Sequence, residues 1–176
     1  MRNSGLILGL ALVSSFALGQ SSTLSSAVLD FEGLGPIRVG MTLLEASAAA
    51  KARIASEGAG PHSECEYAAP VSGPGGIGFT LVNKRIAEIS IQDEAFATST
   101  GLRVGDPERK VVEMYKGKAF VGKNSVDSPR RLTLVKKSAS GARLEMTFVA
   151  YDGKVSMIVA GLPVSNIPGK GCRLKN

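Results

Sequence analysis

Five stretches of this chain carry the alternation of a half-buried strand. In "IGFTLV", Ile77, Phe79 and Leu81 alternate with smaller or polar residues, and "RIAEISI" follows from Arg85 to Ile91 after a turn at Asn83-Lys84. "RLTLV" runs from Arg131 to Val135. It leads through Ser138-Ala139-Ser140-Gly141 into "RLEMTFV", where Leu144, Met146 and Phe148 share one face and Arg143, Glu145 and Thr147 the other. Asp152-Gly153 is a strong hairpin signal, and "KVSMIVA" returns beside it. Each turn is short, so neighbouring strands are expected to be antiparallel.

A longer period precedes each group. Leu43, Ala46, Ala50 and Ile54 fall on one helical stripe, which predicts a helix from Leu43 to about Glu57 with Gly58 as its C′ residue. Thr42-Leu43-Leu44-Glu45 is a T-x-x-E capping box at its start. A shorter helix is expected after Asp106 as N-cap and Pro107 at N1, with Val111, Val112 and Tyr115 inward and Gly117 as the stop. The regions after Gly58 and Gly117 read as a short helix or a further strand.

The two helix starts share an approach. Ile37-Arg38-Val39-Gly40 and Leu102-Arg103-Val104-Gly105 coincide at an offset of 65 residues, each ending in a glycine suited to a sharp turn. Together these patterns predict an α+β fold: two tandem helix-then-antiparallel-meander repeats, at residues 20–95 and 96–176, with the helices packed on one face of the sheet. One repeat alone is a marginal size for a core. The polar face, with Thr133, Arg143, Glu145 and Thr147, is expected to be open to solvent or a partner.

The first 19 residues read differently. Arg2 precedes an apolar run from Gly5 through Gly19, and Ala17 and Gly19 supply small residues at the −3 and −1 positions of a cleavage site. The run is shorter than the roughly 20 residues of a membrane-spanning helix. A cleaved signal peptide, a periplasmic or secreted mature chain and no transmembrane segment after processing are expected. No cysteine follows the apolar run for lipid attachment. The two cysteines, Cys65 and Cys172, are then expected to pair in an oxidising compartment. In the chain-entropy account a loop of that length contributes about 4–5 kcal/mol.

The step Ile37-Arg38-Val39-Gly40-Met41-Thr42 with Glu45-Ala46, and Leu102-Arg103-Val104-Gly105 with Val111-Val112, resembles the tandem-repeat β-lactamase inhibitory protein-like fold. It is also similar in topology to the small outer-membrane assembly lipoproteins of the SmpA/OmlA type. The resemblance implies a binding or scaffolding protein that meets its partner on a concave sheet face. It carries over no individual functional residue, because the shared motif is structural.

Composition adds exclusions. The single histidine, His62, lies three residues from Cys65, and the sequence offers only Glu64 and Glu66 nearby to complete a metal site, which wants four ligands. "SGPGG" lacks the lysine and helix start of a phosphate cradle. No catalytic residue, metal site or cofactor is predicted, and the protein is read as not an enzyme. Charge is unevenly spread. Residues 20–95 hold five Lys and Arg against nine Asp and Glu, whereas residues 96–176 hold fifteen against six, in a chain of net charge +6. The leading expectation is a protein partner. The alternative is anionic envelope polymer or lipid headgroups, met by the basic second half. Arg130, Arg131, Lys136, Lys137 and Arg143 are the candidate contact residues for either. Nucleic acid is not expected, since no aromatic residues are interleaved with the cations to stack bases.

Overall fold

The computed structural model describes residues 23–59, 65–118, 120–121 and 129–164. The alternating stretches are strands: β6 (Ile77–Val82) and β7 (Arg85–Ile91) have the expected limits, and β10 (Arg130–Lys137), β11 (Arg143–Tyr151) and β12 (Lys154–Gly161) run one to three residues longer than expected. Their turns explain the pairing. Asn83 and Lys84 take φ of 52° and 63°, and Asp152 and Gly153 take 48° and 74°. Left-handed pairs of this kind match the twist of two-residue hairpins. They set Val82 opposite Arg85 and Tyr151 opposite Lys154.

The end of the expected first helix and the less clear regions supply more strand. β4 (Ile54–Ala59) and β5 (Glu66–Pro70) extend the sheet at one edge, and β9 (Phe120–Val121) at the other. The result is one eight-stranded sheet in the order β4-β5-β6-β7-β12-β11-β10-β9, with every neighbour antiparallel. A smaller sheet, β3-β2-β1-β8, joins Ile37–Arg38, Gly33–Leu34, Val28–Leu29 and Ala97–Thr98. Strands from both sides of residue 95 share each sheet, through β7 with β12 and β1 with β8.

This overturns the α+β reading of two tandem helix-then-meander repeats. The protein is mostly β. Among the described residues its α-helices are α1 (Leu43–Ala50) and α2 (Glu108–Met114), of eight and seven residues, against a large continuous antiparallel sheet. The first helix ends at Ala50, short of the expected Glu57. Lys51 turns left-handed at φ 50° and ends α1, Ser47 Oγ accepts the Ile54 N–H at 3.0 Å, and Ile54 opens a strand. Gly58, expected as a helix stop, instead sits at a bulge in β4 at φ 90°.

The capping box at Thr42 and Glu45 forms as expected. At α2 the cap differs: Pro107 is the N-cap and has no side-chain cap bond. Asp106 instead accepts the Arg103 N–H at 2.9 Å and pairs with Lys110 at 2.8 Å. Val111 is fully buried, while Val112, expected inward, is exposed.

The duplicated step has a local meaning. Gly40 and Gly105 take φ of 91° and 87°. Gly40 N–H donates to Ile86 O and Ile86 N–H to Met41 O, each at 2.8 Å; Gly105 N–H donates to Val155 O at 2.7 Å and Val155 N–H to Asp106 O at 2.9 Å. Each step is thus bonded to the start of an inner strand of the large sheet.

One face of that sheet is covered. Across β6, β7, β12, β11 and β10 the register aligns Ile77, Ile91, Ile158, Phe148 and Leu132 in one row, and Phe79, Ile89, Ala160, Met146 and Leu134 in the next. Both rows are buried with Ala46 and Ala50 of α1, Val111 of α2, and Leu29, Leu34 and Ile37 of the small sheet. Tyr115 rests against Phe148 with ring centroids 6.1 Å apart. Cys65 is buried in a separate cluster with Val82 and Ala87, against which Leu162 and Val164 pack; Cys172 and His62 lie outside the described residues.

Candidate functional site

Because side chains alternate across a strand, the residues between the core rows all point the other way. One row runs Tyr67, Thr80, Glu88, Gly161, Glu145 across β5, β6, β7, β12 and β11. The next runs Gly78, Ser90, Val159, Thr147, Thr133 from β6 to β10. These rows form the floor of an open trough of about 900 Å³. Gly161 lets β12 approach β7 closely. Its φ is 136°, and a Cβ there would strike the Ala87 carbonyl. After Gly161 the chain runs on beside β7, where Leu162 N–H donates to Ala87 O at 2.9 Å, and Pro163 and Val164 form part of the trough wall.

Glu88 is the most perturbed group in the trough. Burial pushes its carboxyl above the ordinary value, and the negative charge of Glu145 adds to this; the Val164 N–H at 3.1 Å and the charge of Arg131 act in the opposite direction. Glu145 accepts from Arg143 at 2.8 Å, through the same Oε1 that forms the ion pair at 2.7 Å. Thr133 and Thr147 share a hydrogen bond of 3.0 Å. The arrangement offers hydroxyls, carboxylates and one guanidinium over a shallow span. Among the described residues no group of three or more His, Cys, Asp or Glu side chains could hold a metal ion.

The five basic candidates divide between the two faces of the sheet, Arg131, Lys137 and Arg143 on the open side and Arg130 and Lys136 on the covered side. Arg131 lines the trough. Arg130 points to the covered side and pairs with Glu108 of α2 at 2.6 Å. Lys136 reaches Glu32 at 3.5 Å and lies 6.0 Å from the centre of the Phe31 ring. Arg143 is held by Glu145, and Lys137 stands opposite Arg143 at the far end of the hairpin. Thr133, Glu145 and Thr147, expected on the polar face, do line the trough. Glu88 and Ser90 were missed. Their signal was present, since Glu88 and Ser90 alternate with Ile89 and Ile91 in β7.

Fold and site together define a β-rich protein whose central sheet is packed on one face and open on the other. The chain is similar in structure to the uncharacterized protein yfeY from Escherichia coli, with a TM-score of 0.51 and 16% sequence identity over 76% of this chain and 99% of that one. At that identity the likeness is one of fold alone. No protein family matches the sequence, and no curated protein matches it either.

Proposed function

We propose that this is a non-catalytic, exported binding or scaffolding protein that seats a segment of a partner protein in the trough. The observation that carries the reading is the open polar floor of the large sheet, enclosing about 900 Å³ while the opposite face is filled by core. A space of that size is in the range of binding clefts, which bury most of a short ligand segment. Export rests on the leader-like first 19 residues, and the Cys65–Cys172 bond belongs to the same proposal. The dispersal of Arg130, Lys136 and Arg143 into internal ion pairs weighs against a basic patch for anionic polymer.

The test is retention of envelope proteins on the immobilised mature chain, compared with Thr133→Trp and Thr80→Trp, which fill the trough, and with Leu44→Ser on the outer side of α1. Leu44 is 82% exposed and its loss leaves the core intact. The expected result is a protein retained by wild type and Leu44→Ser and lost from both tryptophan variants, all four melting cooperatively. Equal retention by the folded tryptophan variants would sink the proposal.

A further inference from the structure

The trough differs in charge from the protein that contains it. Its charged lining among the described residues is Glu57, Glu88 and Glu145 against Arg131, in a chain of net charge +6. Glu88 and Glu145 stand in one row on either side of Gly161. With strands spaced by about 4.8 Å, their backbones are roughly 10 Å apart with a bare glycine between them. Each carboxylate has its Oε1 engaged, by Val164 N–H and by Arg143, and its Oε2 has no bond to a described residue. Arg131 is the cation that faces Glu88 from β10, and it lies two rows away along the register, beside Val149.

We infer that the trough selects a basic polypeptide segment, one arginine or lysine of which meets the Glu88 and Glu145 carboxylates. The inference rests on the trough being the binding surface and names the chemistry of what fills it. A guanidinium is planar and carries donors along two edges, so it can meet a carboxylate on each side. An acidic segment would meet the carboxylates of Glu57, Glu88 and Glu145 against Arg131 and the Arg143 that pairs with Glu145. A purely apolar one would cover Glu88 without bringing it a paired counter-charge, which is costly.

The experiment uses the full mature chain and three labelled peptides of alternating serine and a second residue: arginine, neutral citrulline or glutamate. Hydrogen bonds to a charged group contribute enough for about a tenfold preference or more. The arginine peptide is expected to bind wild type at least about tenfold tighter than the citrulline peptide, with the glutamate peptide weakest. In the Glu88→Gln/Glu145→Gln variant that ratio should fall to near one. A titration of unaltered protein, followed by the amide shifts of Gly161, Ser90 and Thr147, places the contact without relying on any variant's folding. Equal binding of arginine and citrulline peptides, a preference for glutamate, or shifts confined to another face would each overturn the inference. If that happens while Thr133→Trp still abolishes retention of the envelope protein, the trough remains the binding surface and only its charge preference is wrong.

Discussion

Glu88 carries its charge against a cost, and the sign of that cost is measurable. Burial raises its carboxyl above the reference value of 4.5, with Glu145 of β11 adding to the rise and Arg131 of β10 and the Val164 N–H opposing it. The folded protein therefore binds more protons than the unfolded chain between 4.5 and the raised value. Glu88's contribution to stability falls as pH rises through that interval. Glu88→Gln is expected to stabilise the protein at neutral pH and to have little effect below pH 4.5; urea denaturation at the two pH values checks this. Equal effects at both would contradict it. The same protonation should weaken binding of an arginine peptide as pH falls. Gly161 shows what a single residue withholds from sequence reading. A glycine at a strand end reads as a breaker, and only the close approach of Ala87 reveals that it is needed. Gly161→Val should destabilise by about 1–3 kcal/mol through forced separation of β12 from β7. A loss well under this, in thermal melts, would mean that the strands part at no cost.

Among the elements, turn chemistry and caps were the legible part. Asn83-Lys84 and Asp152-Gly153 specify their hairpins because the left-handed conformation is a local property. The capping box of α1 is equally local. Thr42→Ala should cost about 1 kcal/mol, a fall of roughly 2–4 °C in melting temperature for a chain of this size, and calorimetry that found no change would show the cap to be idle. Glu45, held below its ordinary range by the Thr42 N–H first and then by the Thr42 hydroxyl, should lose this support as pH falls through its lowered value. What local reading missed was decided by distant partners. The residues after Ala50 satisfy a helical stripe, yet Ile54 to Ala59 pair with β5, and tertiary pairing outweighs weak propensity. At α2, the carboxylate of Asp106 is drawn to Arg103 N–H and Lys110, so Pro107 is left as a cap without a side-chain acceptor.

The whole molecule is organised by one sheet with two unlike faces. Alternation identified which residues share a face, so Thr133, Glu145 and Thr147 could be grouped from sequence. The joining of β7 to β12 could not, because no turn connects them and their pairing is set by the shared core. For the same reason the basic residues of β10 looked like a patch. Strand alternation sends Arg130 and Lys136 to the covered side and Arg131 to the open one. Phe148, fully buried at the centre of the covered face, should cost about 3–5 kcal/mol when changed to alanine. At this scale the proposed Cys65–Cys172 bond predicts no free thiol in the oxidised mature protein and a loss of about 4–5 kcal/mol on reduction. Thiol titration that found two reactive groups in the unfolded, unreduced chain would remove it. The central claim is that partners are met in the trough. The most direct measurement places a photo-activated cross-linking residue at Ser90, at Thr133 or at Leu44 in the full chain within its native envelope. The account predicts one discrete protein adduct from both Ser90 and Thr133 and none from Leu44. An adduct from Leu44 with none from either trough position would contradict it.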